Sequence, residues 1–396
     1  MKQLKSLTPI ALAIPALLLL AGQPGNAAQN AKPSDDTNLR LNQIQVIGTH
    51  NSYRSSISPA ALAWLNKRDP KAARALDYSH PDIVTQLDHG VRQIEIDIYA
   101  DSHGGAYAHP LGAQWERQAG ITPGPDDIQP SEMEGTDFKV MHIIDLDQRA
   151  NCEPLRACLV KLHDWSAAHP EHLPLFVDIE TKQDRPSMME EPFSAPERFT
   201  PKTYDRLDAE IRDVITPAGM IVPDQVRGKY QKLNDAIGHD AWPTVDAARG
   251  KLVFLLDRPA DTDRYLVDHP SLRGRVLFTN STPGAPEAAF TELNDDDPTR
   301  HAQTEQEIKS LVRQGYLVRT RADANTVEAR VNDTSRRDTA LRSGAQIVST
   351  DYPSNQPASW TGYTVSLPNH AIARCNPVSA PASCRLAEAV AVARRR

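Results

Sequence analysis

Residues 90–99 read GVRQIEIDIY and contain the most informative strand of the chain. The run is short and rich in Val and Ile, which predicts a buried β-strand over Val91–Ile98. Glu95 and Asp97 lie two residues apart in this strand, so both carboxylates point to the same face. We therefore expect an acidic site to be built on this face of the sheet.

Similar apolar runs recur along the chain, and helical or loop material separates them. Together with the first run they predict the strands Ile44–Ile47, Val91–Ile98, Lys139–Ile143, Leu175–Ile179, Leu252–Leu256, Val276–Phe278, Tyr316–Thr320 and Gln346–Ser349. Helices are expected at Pro59–Asn66, Pro154–Ala168, Pro201–Ile215, Glu305–Gln314 and Thr334–Ser343. Eight strands with intervening helices predict an α/β fold, a distorted (β/α)8 TIM-barrel-like domain. The segments 99–138 and 183–250 are long insertions, which we expect to lie as loops near the active face.

The N-terminus has the features of a secretory signal peptide. Lys2 and Lys5 precede an apolar stretch, residues 9–21, and small residues follow at Ala27 and Ala28. This order predicts a signal peptide over residues 1–28 and a single barrel domain over residues 29–396. The protein is then expected to be secreted or periplasmic.

Charge and cysteine content limit the partners and the metals. The formal net charge is −7, so the overall field does not draw the chain to nucleic acid, and contact with a membrane surface would be transient. In an exported protein the four cysteines indicate disulfides, and Cys152–Cys158 with Cys375–Cys384 is the favoured pairing because each closes a short loop. Zinc is improbable because no Cys/His spacing of a zinc site is present. We expect a monomer.

Polar residues follow or end four successive predicted strands. His50 and Asn51 come after the first strand, His142 lies in the third, and Asp178 and Glu180 share one face of the fourth. Catalytic groups of barrel enzymes lie at the carboxyl ends of strands. These positions are therefore the candidate site, with either Asp178 or Glu180 as the acid from the fourth strand.

The acids of this constellation predict a hard divalent cation. Paired carboxylates inside a barrel are costly to bury without a compensating charge, which is either a cation or a salt bridge to Arg92 or Lys139. Three carboxylates and the Asn51 amide oxygen, with no cysteine, favour one calcium ion over magnesium. Two histidines beside a cation suggest general base and general acid chemistry on a phosphodiester.

At these residues the sequence resembles the catalytic X region of calcium-dependent, bacterial-type phosphoinositide-specific phospholipase C. Residues 49–53, THNSY, resemble the family's first His-Asn motif, and residues 90–97, GVRQIEID, resemble its acidic motif. His142 matches the second histidine, and residues 178–180, DIE, resemble the strand of the last ligand. The four motifs occur in order across residues 44–182. The setting Val-Met-His-Ile around His142 and the 99–138 insertion depart from the family pattern.

The resemblance implies roles for these residues. His50 is the implied general base and His142 the general acid, and the implied calcium ligands are Asn51, Glu95, Asp97 and Glu180. The implied reaction cleaves a phosphoinositide-type lipid to diacylglycerol and an inositol phosphate, cyclic in the first step. A metal-free bacterial branch has Asp after the first histidine and an arginine at the calcium position. Asn51 and the sequence Glu95-Ile96-Asp97 argue for the metal-dependent branch instead.

Three cationic residues are candidate substrate ligands. Lys182 follows the fourth strand and either contacts phosphate or is a surface lysine. Arg319 lies on the seventh predicted strand, and Arg321 lies just past its end on the same face. An arginine here either binds phosphate or inositol hydroxyls or pairs with Asp351 or Glu328.

Two other functions stay open from the sequence. A glycerophosphodiester phosphodiesterase would share the barrel, the calcium and the histidines, but its first motif normally reads His-Arg-Gly, where this chain has His50-Asn51-Ser52. A non-catalytic, secreted calcium-binding protein would have no need of both His50 and His142.

Overall fold

A computed structural model describes residues 38–124, 127–185, 193–294 and 298–386. The predicted signal peptide, residues 1–28, lies outside the described residues, so its prediction is not tested. Described strands are β1 Ile44–Thr49, β2 Gln93–Tyr99, β3 Lys139–Val140, β4 Leu175–Thr181, β5 Met220–Ile221, β6 Leu252–Leu256, β7 Phe278–Thr279, β8 Phe290–Glu292, β9 Leu317–Arg321, β10 Ile347–Thr350 and β11 Ala373–Cys375.

Helices cover the outside of the sheet, and the five predicted helices are confirmed within a few residues at each end. Described helices are α1 Pro59–Arg68, α2 Pro70–Ala75, α3 Ile83–Asp88, α4 Leu111–Gln118, α5 Leu155–Ala168, α6 Pro201–Val214, α7 Pro223–Arg227, α8 Leu233–Ile237, α9 Val245–Ala248, α10 Thr262–Tyr265, α11 His301–Arg313, α12 Val327–Val331 and α13 Ser335–Ser343.

The helix α6 shows how local sequence sets an element and its packing. Its N-cap Thr200 accepts a hydrogen bond from the Thr203 amide, and a proline follows at the first helical position. Tyr204, Leu207 and Ile211 recur at helical spacing and are all buried. This stripe packs into the main core, so the helix is held by its apolar face and its cap together.

Parallel strands form a curled, eight-stranded, distorted barrel in chain order. β1 pairs with β2 on one side and β10 on the other, and the ring continues through β4, β6 and β7, then back through β8 and β9 to β10. A parallel bridge between Asn280 and Phe290 joins the β7 and β8 sides. The predicted TIM-barrel-like fold is therefore confirmed.

One predicted barrel strand is wrong. The run Lys139–Ile143 contributes only the two-residue strand β3, which pairs antiparallel with the carboxyl end of β2 through Ile98–Val140 and Tyr99–Lys139. It is the return of the 99–138 insertion, so that insertion begins and ends at the carboxyl end of the barrel. The short strand β8, Phe290–Glu292, takes the vacant place in the ring.

The second insertion, residues 183–250, is only partly a loop near the active face. It contains helices α6 to α9 and the strand β5, whose Met220 pairs with Leu252, the first residue of β6. Because Leu252 begins its strand, β5 lies at the amino end of the barrel, away from the catalytic end. The expectation that this whole insertion lies near the active face is therefore wrong.

A close approach between β1 and β2 requires glycine at position 48. A Cβ atom there would lie 2.6 Å from Cβ of Gln93, which is fixed to the neighbouring strand and cannot swing away. Gly48 and Gln93 pair in register, so His50 and Glu95, each two residues further along, emerge on the same side of neighbouring strands. The register thus brings the first histidine to the first acid.

Both favoured disulfides are present. Cys152 joins Cys158 in the segment that leads into α5, and Cys375 joins Cys384 after β11. Within the residues that the structure describes, no helix combines the length and apolarity needed to cross a bilayer.

Candidate active site

Register between β2 and β4 assembles the acids. Asp97 pairs with Glu180, and Glu95 pairs with Asp178. One carboxylate oxygen from each of Glu95, Asp97 and Glu180 lies within 4.8 Å of the other two. Of the two candidates on the fourth predicted strand, Glu180 is therefore the one that joins Glu95 and Asp97.

His50 lies between two carboxylates just beyond β1. Its Nδ1 donates a hydrogen bond to Asp351 Oδ1 at 2.8 Å, and Asp351 follows β10, the neighbour of β1. Its Nε2 lies 3.8 Å from Glu95 Oε1, and 19% of the side chain is exposed. The imidazole is thus oriented through Nδ1, while Nε2 faces the acid group and can be reached from solvent.

Asn51 is held beside the same acids with its amide oxygen unused. Its φ of 49° is in the left-handed region, which asparagine tolerates better than most residues. The Ser52 side chain accepts a hydrogen bond from the Glu95 amide at 2.8 Å, which holds this turn against β2. Nδ2 of Asn51 donates to Tyr78 Oη, but Oδ1 is buried without a hydrogen-bond partner in the described part of the chain.

His142 lies in the loop beyond β3 and has an orienting carboxylate of its own. Nδ1 donates to Asp147 Oδ2 at 2.8 Å, and 16% of the side chain is exposed. The same Asp147 oxygen accepts a hydrogen bond from Arg54 Nε at 2.6 Å. Although burial would raise the pKa of Asp147, Arg54 and His142 together outweigh it and hold this pKa below its ordinary value.

A buried network connects the two histidines. The Arg54 guanidinium carbon lies 4.4 Å from the centre of the Tyr78 ring, and Tyr78 Oη lies 3.2 Å from His50 Nδ1. On its other side Arg54 bonds Asp147, which holds His142. Arg54 also donates to the Leu76 carbonyl at 2.8 Å and to the Tyr78 carbonyl. One fully buried arginine therefore fixes the supports of both imidazoles.

Lys182 lies within the acid group. Its Nζ is 2.9 Å from Asp97 Oδ2 and 2.7 Å from Glu180 Oε2, and only 18% of the side chain is exposed. The alternative that it is a plain surface lysine is therefore wrong. In this state its ammonium balances part of the buried negative charge.

Arg319 is surrounded by a second set of carboxylates. It pairs with Glu95, with Glu292 at 2.7 Å, and with Asp178 and Asp257 at 3.5 Å each. Its side chain is 2% exposed. The oxygens of Asp178, Asp257 and Glu292 also lie within 4.8 Å of one another, but here the guanidinium already supplies the positive charge.

Arg321 lies closer to the opening than Arg319. Its Nη2 contacts Asp351 Oδ2 at 3.1 Å, and 12% of the side chain is exposed. The pairing with Asp351 that the sequence left open is therefore present. Because Asp351 also holds His50, the arginine, the carboxylate and the imidazole form one row along β9, β10 and β1.

The electrostatics of the site favour a neutral His50 and an added cation. Burial, together with the Arg321 charge, holds the pKa of His50 well below its ordinary value, although Asp351 opposes this effect. Burial raises the pKa of Asp97 well above its ordinary value and that of Glu95 to about 7. Ionised carboxylates at these two positions thus need more positive charge than the neighbouring side chains provide.

The unsatisfied atoms fit a hard cation. In the described residues, Asp97 Oδ1 and Asn51 Oδ1 are buried without a hydrogen-bond partner, and Asp97 Oδ2 is in contact with the Lys182 ammonium at 2.9 Å. Asp97 lies beside Glu95 and Glu180, and Asn51 directly follows His50, whose ring contacts Glu95. Every candidate metal ligand is therefore an oxygen atom, as calcium and magnesium prefer. The residues present therefore fit such an ion.

Sequence reasoning missed the residues that support the two imidazoles. The sequence indicated Asp351 only as a partner of an arginine, and it indicated no role for Asp147, Tyr78 or Arg54, which contact the histidines or their carboxylates. Asp147, five residues after His142, gave a local signal that a carboxylate was available. Asp351 directly follows β10, so pairing of the first and last strands of a closed barrel would have indicated it.

Two carboxylate-oriented histidines beside an acidic group that fits a divalent cation can perform acid–base catalysis assisted by a metal ion. A family model described as phosphoinositide phospholipase C, Ca2+-dependent, matches residues 39–377. The chain belongs to this family and is accordingly a phosphodiesterase of the phosphatidylinositol phospholipase C type that depends on calcium. No curated protein matches it by sequence. The family match does not favour a glycerophosphodiester phosphodiesterase or a non-catalytic calcium-binding protein.

Solved structures of phospholipases also resemble the chain. A calcium-dependent phosphoinositol-specific phospholipase C from a Gram-negative Pseudomonas species is 16% identical over 83% of this chain and 95% of its own, with a TM-score of 0.48. A Ca2+-dependent phosphatidylinositol-specific enzyme from Streptomyces antibioticus is 16% identical over 79% and 95%, with a TM-score of 0.49. The corresponding phospholipase from Listeria monocytogenes is 13% identical over 81% and 92%, with a TM-score of 0.42.

Proposed function

We propose that the protein cleaves a phosphoinositide-type lipid by histidine general base and general acid chemistry, with one calcium ion bound in the site. The products are diacylglycerol and an inositol phosphate that is cyclic in the first step. The observation that carries this proposal is the pair of imidazoles, His50 and His142, each held through Nδ1 by a buried carboxylate at 2.8 Å. His50 Nε2 lies 3.8 Å from Glu95 of the acid group, and the charge of a protonated His142 would lower the pKa of Glu180 in the same group.

His50 is the general base in this scheme. The hydrogen bond to Asp351 places the proton on Nδ1 and leaves the Nε2 lone pair facing the site. Because its pKa is held low by burial and by Arg321, the ring is neutral and ready to accept a proton at neutral pH. The inositol hydroxyl next to the phosphate loses that proton as it attacks phosphorus.

His142 is the general acid. Its bond to Asp147 orients the ring and stabilises the imidazolium form, although burial lowers the pKa of His142 overall. The proton on Nε2 passes to the leaving glycerol oxygen when the phosphorus–oxygen bond breaks. Diacylglycerol then leaves as a neutral alcohol.

Asn51, Glu95, Asp97 and Glu180 would hold the calcium ion through oxygen atoms. When bound, the ion stabilises the negative charge that builds on the phosphate and favours ionisation of the attacking hydroxyl.

Cationic side chains complete the substrate site. Arg321 is partly exposed beside His50 and is the best-placed group for a phosphate oxygen or an inositol hydroxyl. Lys182 contributes positive charge among the acids. Arg319 lies deeper and acts on the substrate chiefly through the carboxylates that it orients.

The location and assembly of the protein are a separate part of the proposal. We propose a secreted or periplasmic monomer that touches a membrane surface transiently. Two disulfides within the described residues support an oxidising compartment.

Phosphorus NMR of the products from phosphatidylinositol tests the proposal. With calcium, wild-type protein should give a cyclic inositol phosphate resonance, a chelator should abolish it, and added calcium should restore it. His50→Ala should give no product, while His103→Ala, an exposed histidine in the 99–138 insertion, should behave as wild type. Turnover that survives chelation, or equal loss in both variants, would refute the scheme.

A further inference from the structure

A groove of about 560 Å³ with a mainly apolar lining is formed in part by Ile143, in the loop that carries His142. Its walls include Leu65, Ala72, Leu76, Ile143, Leu146 and Val327. The volume is in the range of sites that bind small organic ligands. Val327 is 57% exposed and lies on the outer wall, so the apolar lining continues to the protein surface.

The topology places this groove at the catalytic end of the barrel. Helices α1 and α2 follow β1, residues 143–146 follow β3 at the carboxyl end of β2, and residues 325–330 follow β9. The strands β9, β10, β1 and β2 are consecutive neighbours in the ring. The three walls therefore meet above the strands that carry His50 and Asp351.

Contacts connect the groove to the general acid in particular. Ile143, in one wall, is the residue after His142. The backbone carbonyl of Leu76, in another wall, accepts a hydrogen bond from Arg54. Arg54 also donates a hydrogen bond to the Asp147 carboxylate, which in turn binds His142. The apolar walls thus begin within a residue or two of the imidazole that serves the leaving group.

We propose that the groove binds the hydrocarbon chain of the alcohol that leaves the phosphodiester. This inference rests on the proposed function, because His142 delivers its proton to that alcohol. Polar residues such as Lys71 and Arg330 also line the groove, but most of its exposed lining surface is apolar, which favours a hydrocarbon chain over a sugar. The chain length of the leaving alcohol then becomes a determinant of specificity.

A soluble substrate series tests this assignment without a lipid surface. Inositol phosphodiesters of methanol, butanol and octanol are compared below the concentration at which they form micelles. For wild-type protein, kcat/KM should rise by at least about tenfold from methyl to octyl, since even partial burial of seven methylenes is favourable. Ala72→Trp fills the groove, so its octyl and methyl esters should be cleaved with equal kcat/KM.

The control is Ala63→Trp, at an exposed position on α1 outside the groove, and it should keep the wild-type dependence on chain length. Circular dichroism establishes that both variants are folded. If Ala72→Trp keeps the wild-type dependence, the groove assignment is wrong even though turnover continues.

A binding measurement separates this assignment from the proposed function. Calorimetry should show that octyl phosphate binds wild-type protein at least about tenfold more tightly than methyl phosphate, and that Ala72→Trp removes the difference. If no inositol ester is cleaved but this difference is found, the proposed function fails and the groove stands. Equal binding of the two phosphates to wild-type protein overturns the groove.

Discussion

His50 Nδ1 lies 2.8 Å from Asp351 Oδ1, and this contact joins the first and last strands of the barrel. Arg321 binds the other oxygen of Asp351, and although burial would raise the pKa of Asp351, Arg321 and His50 hold this pKa well below its ordinary value. Asp351 is therefore ionised and fixes both the orientation and the tautomer of the imidazole.

Asp351→Asn should lower kcat by ~100- to 10,000-fold, the loss seen when a carboxylate that orients a catalytic histidine becomes an amide. Asp351 raises the pKa of His50 in opposition to burial, so the acidic limb of the kcat/KM profile should also move to lower pH. A pH–rate series measures both effects, with the exposed Asp333→Asn as control. An unshifted limb with normal kcat would show that Asp351 has only a structural role.

Arg54→Met should destabilise the fold by about 3–5 kcal/mol, because it leaves the buried Asp147 carboxylate without its cation. Urea unfolding measures the change. The control is Arg156→Met, whose partner Asp213 is exposed, and it should cost less than about 1 kcal/mol. Equal free energies of unfolding for the two variants would contradict the importance of the network that joins the histidines.

Lys182→Gln should raise calcium affinity by about tenfold, because the Lys182 ammonium contacts Asp97 and Glu180 and competes with the ion for these oxygens. Calorimetric titration with calcium measures the dissociation constant, and the exposed Lys232→Gln serves as control. An affinity that stays equal to wild type would show that the ammonium does not overlap the ion.

Glu210→Gln should make the protein more stable at neutral and alkaline pH. Burial raises the pKa of Glu210 to about 7, and Oε1 is buried without a hydrogen-bond partner in the described residues. The unfolded chain ionises this group near pH 4.5, so wild-type stability falls between about pH 4.5 and 7 as pH rises.

The gain from Glu210→Gln is expected to be about 1–2 kcal/mol above pH 7 and to vanish near pH 4. Thermal unfolding across this pH range, with exposed Glu171→Gln for comparison, gives the measurement. A gain that does not depend on pH would exclude the titration of Glu210 as its cause.

Short-range pattern was enough to predict the acids and most strands. The two-residue period predicted that Glu95 and Asp97 share one strand face and that Asp178 and Glu180 share another. In the structure Asp97 pairs with Glu180 across β2 and β4, which places Glu180 beside Glu95 and Asp97. Strand period could not choose between Asp178 and Glu180, because both share a face; the family resemblance implied Glu180, and the distances among the carboxylates agree with it. Sequence alone does not contain these distances, since the two strands are separated by a long insertion.

Long-range pairing accounts for what the sequence did not predict. Asp351 reaches His50 through the closure of β1 on β10, across about 300 residues of chain. β8 was missed because three residues, Phe290–Glu292, give too little periodicity, whereas Lys139–Ile143 looked like a strand but mainly forms the loop that carries His142.

Calcium titration calorimetry of wild type, His50→Ala and Asp97→Asn tests the central claim most directly. If Asn51, Glu95, Asp97 and Glu180 hold one ion beside two imidazoles, wild type and His50→Ala should each bind one calcium ion with similar affinity. Asp97→Asn should bind at least about a hundredfold more weakly, because it removes a ligand charge. Equal calcium binding by wild type and Asp97→Asn, or no calcium binding by wild type, would contradict the account.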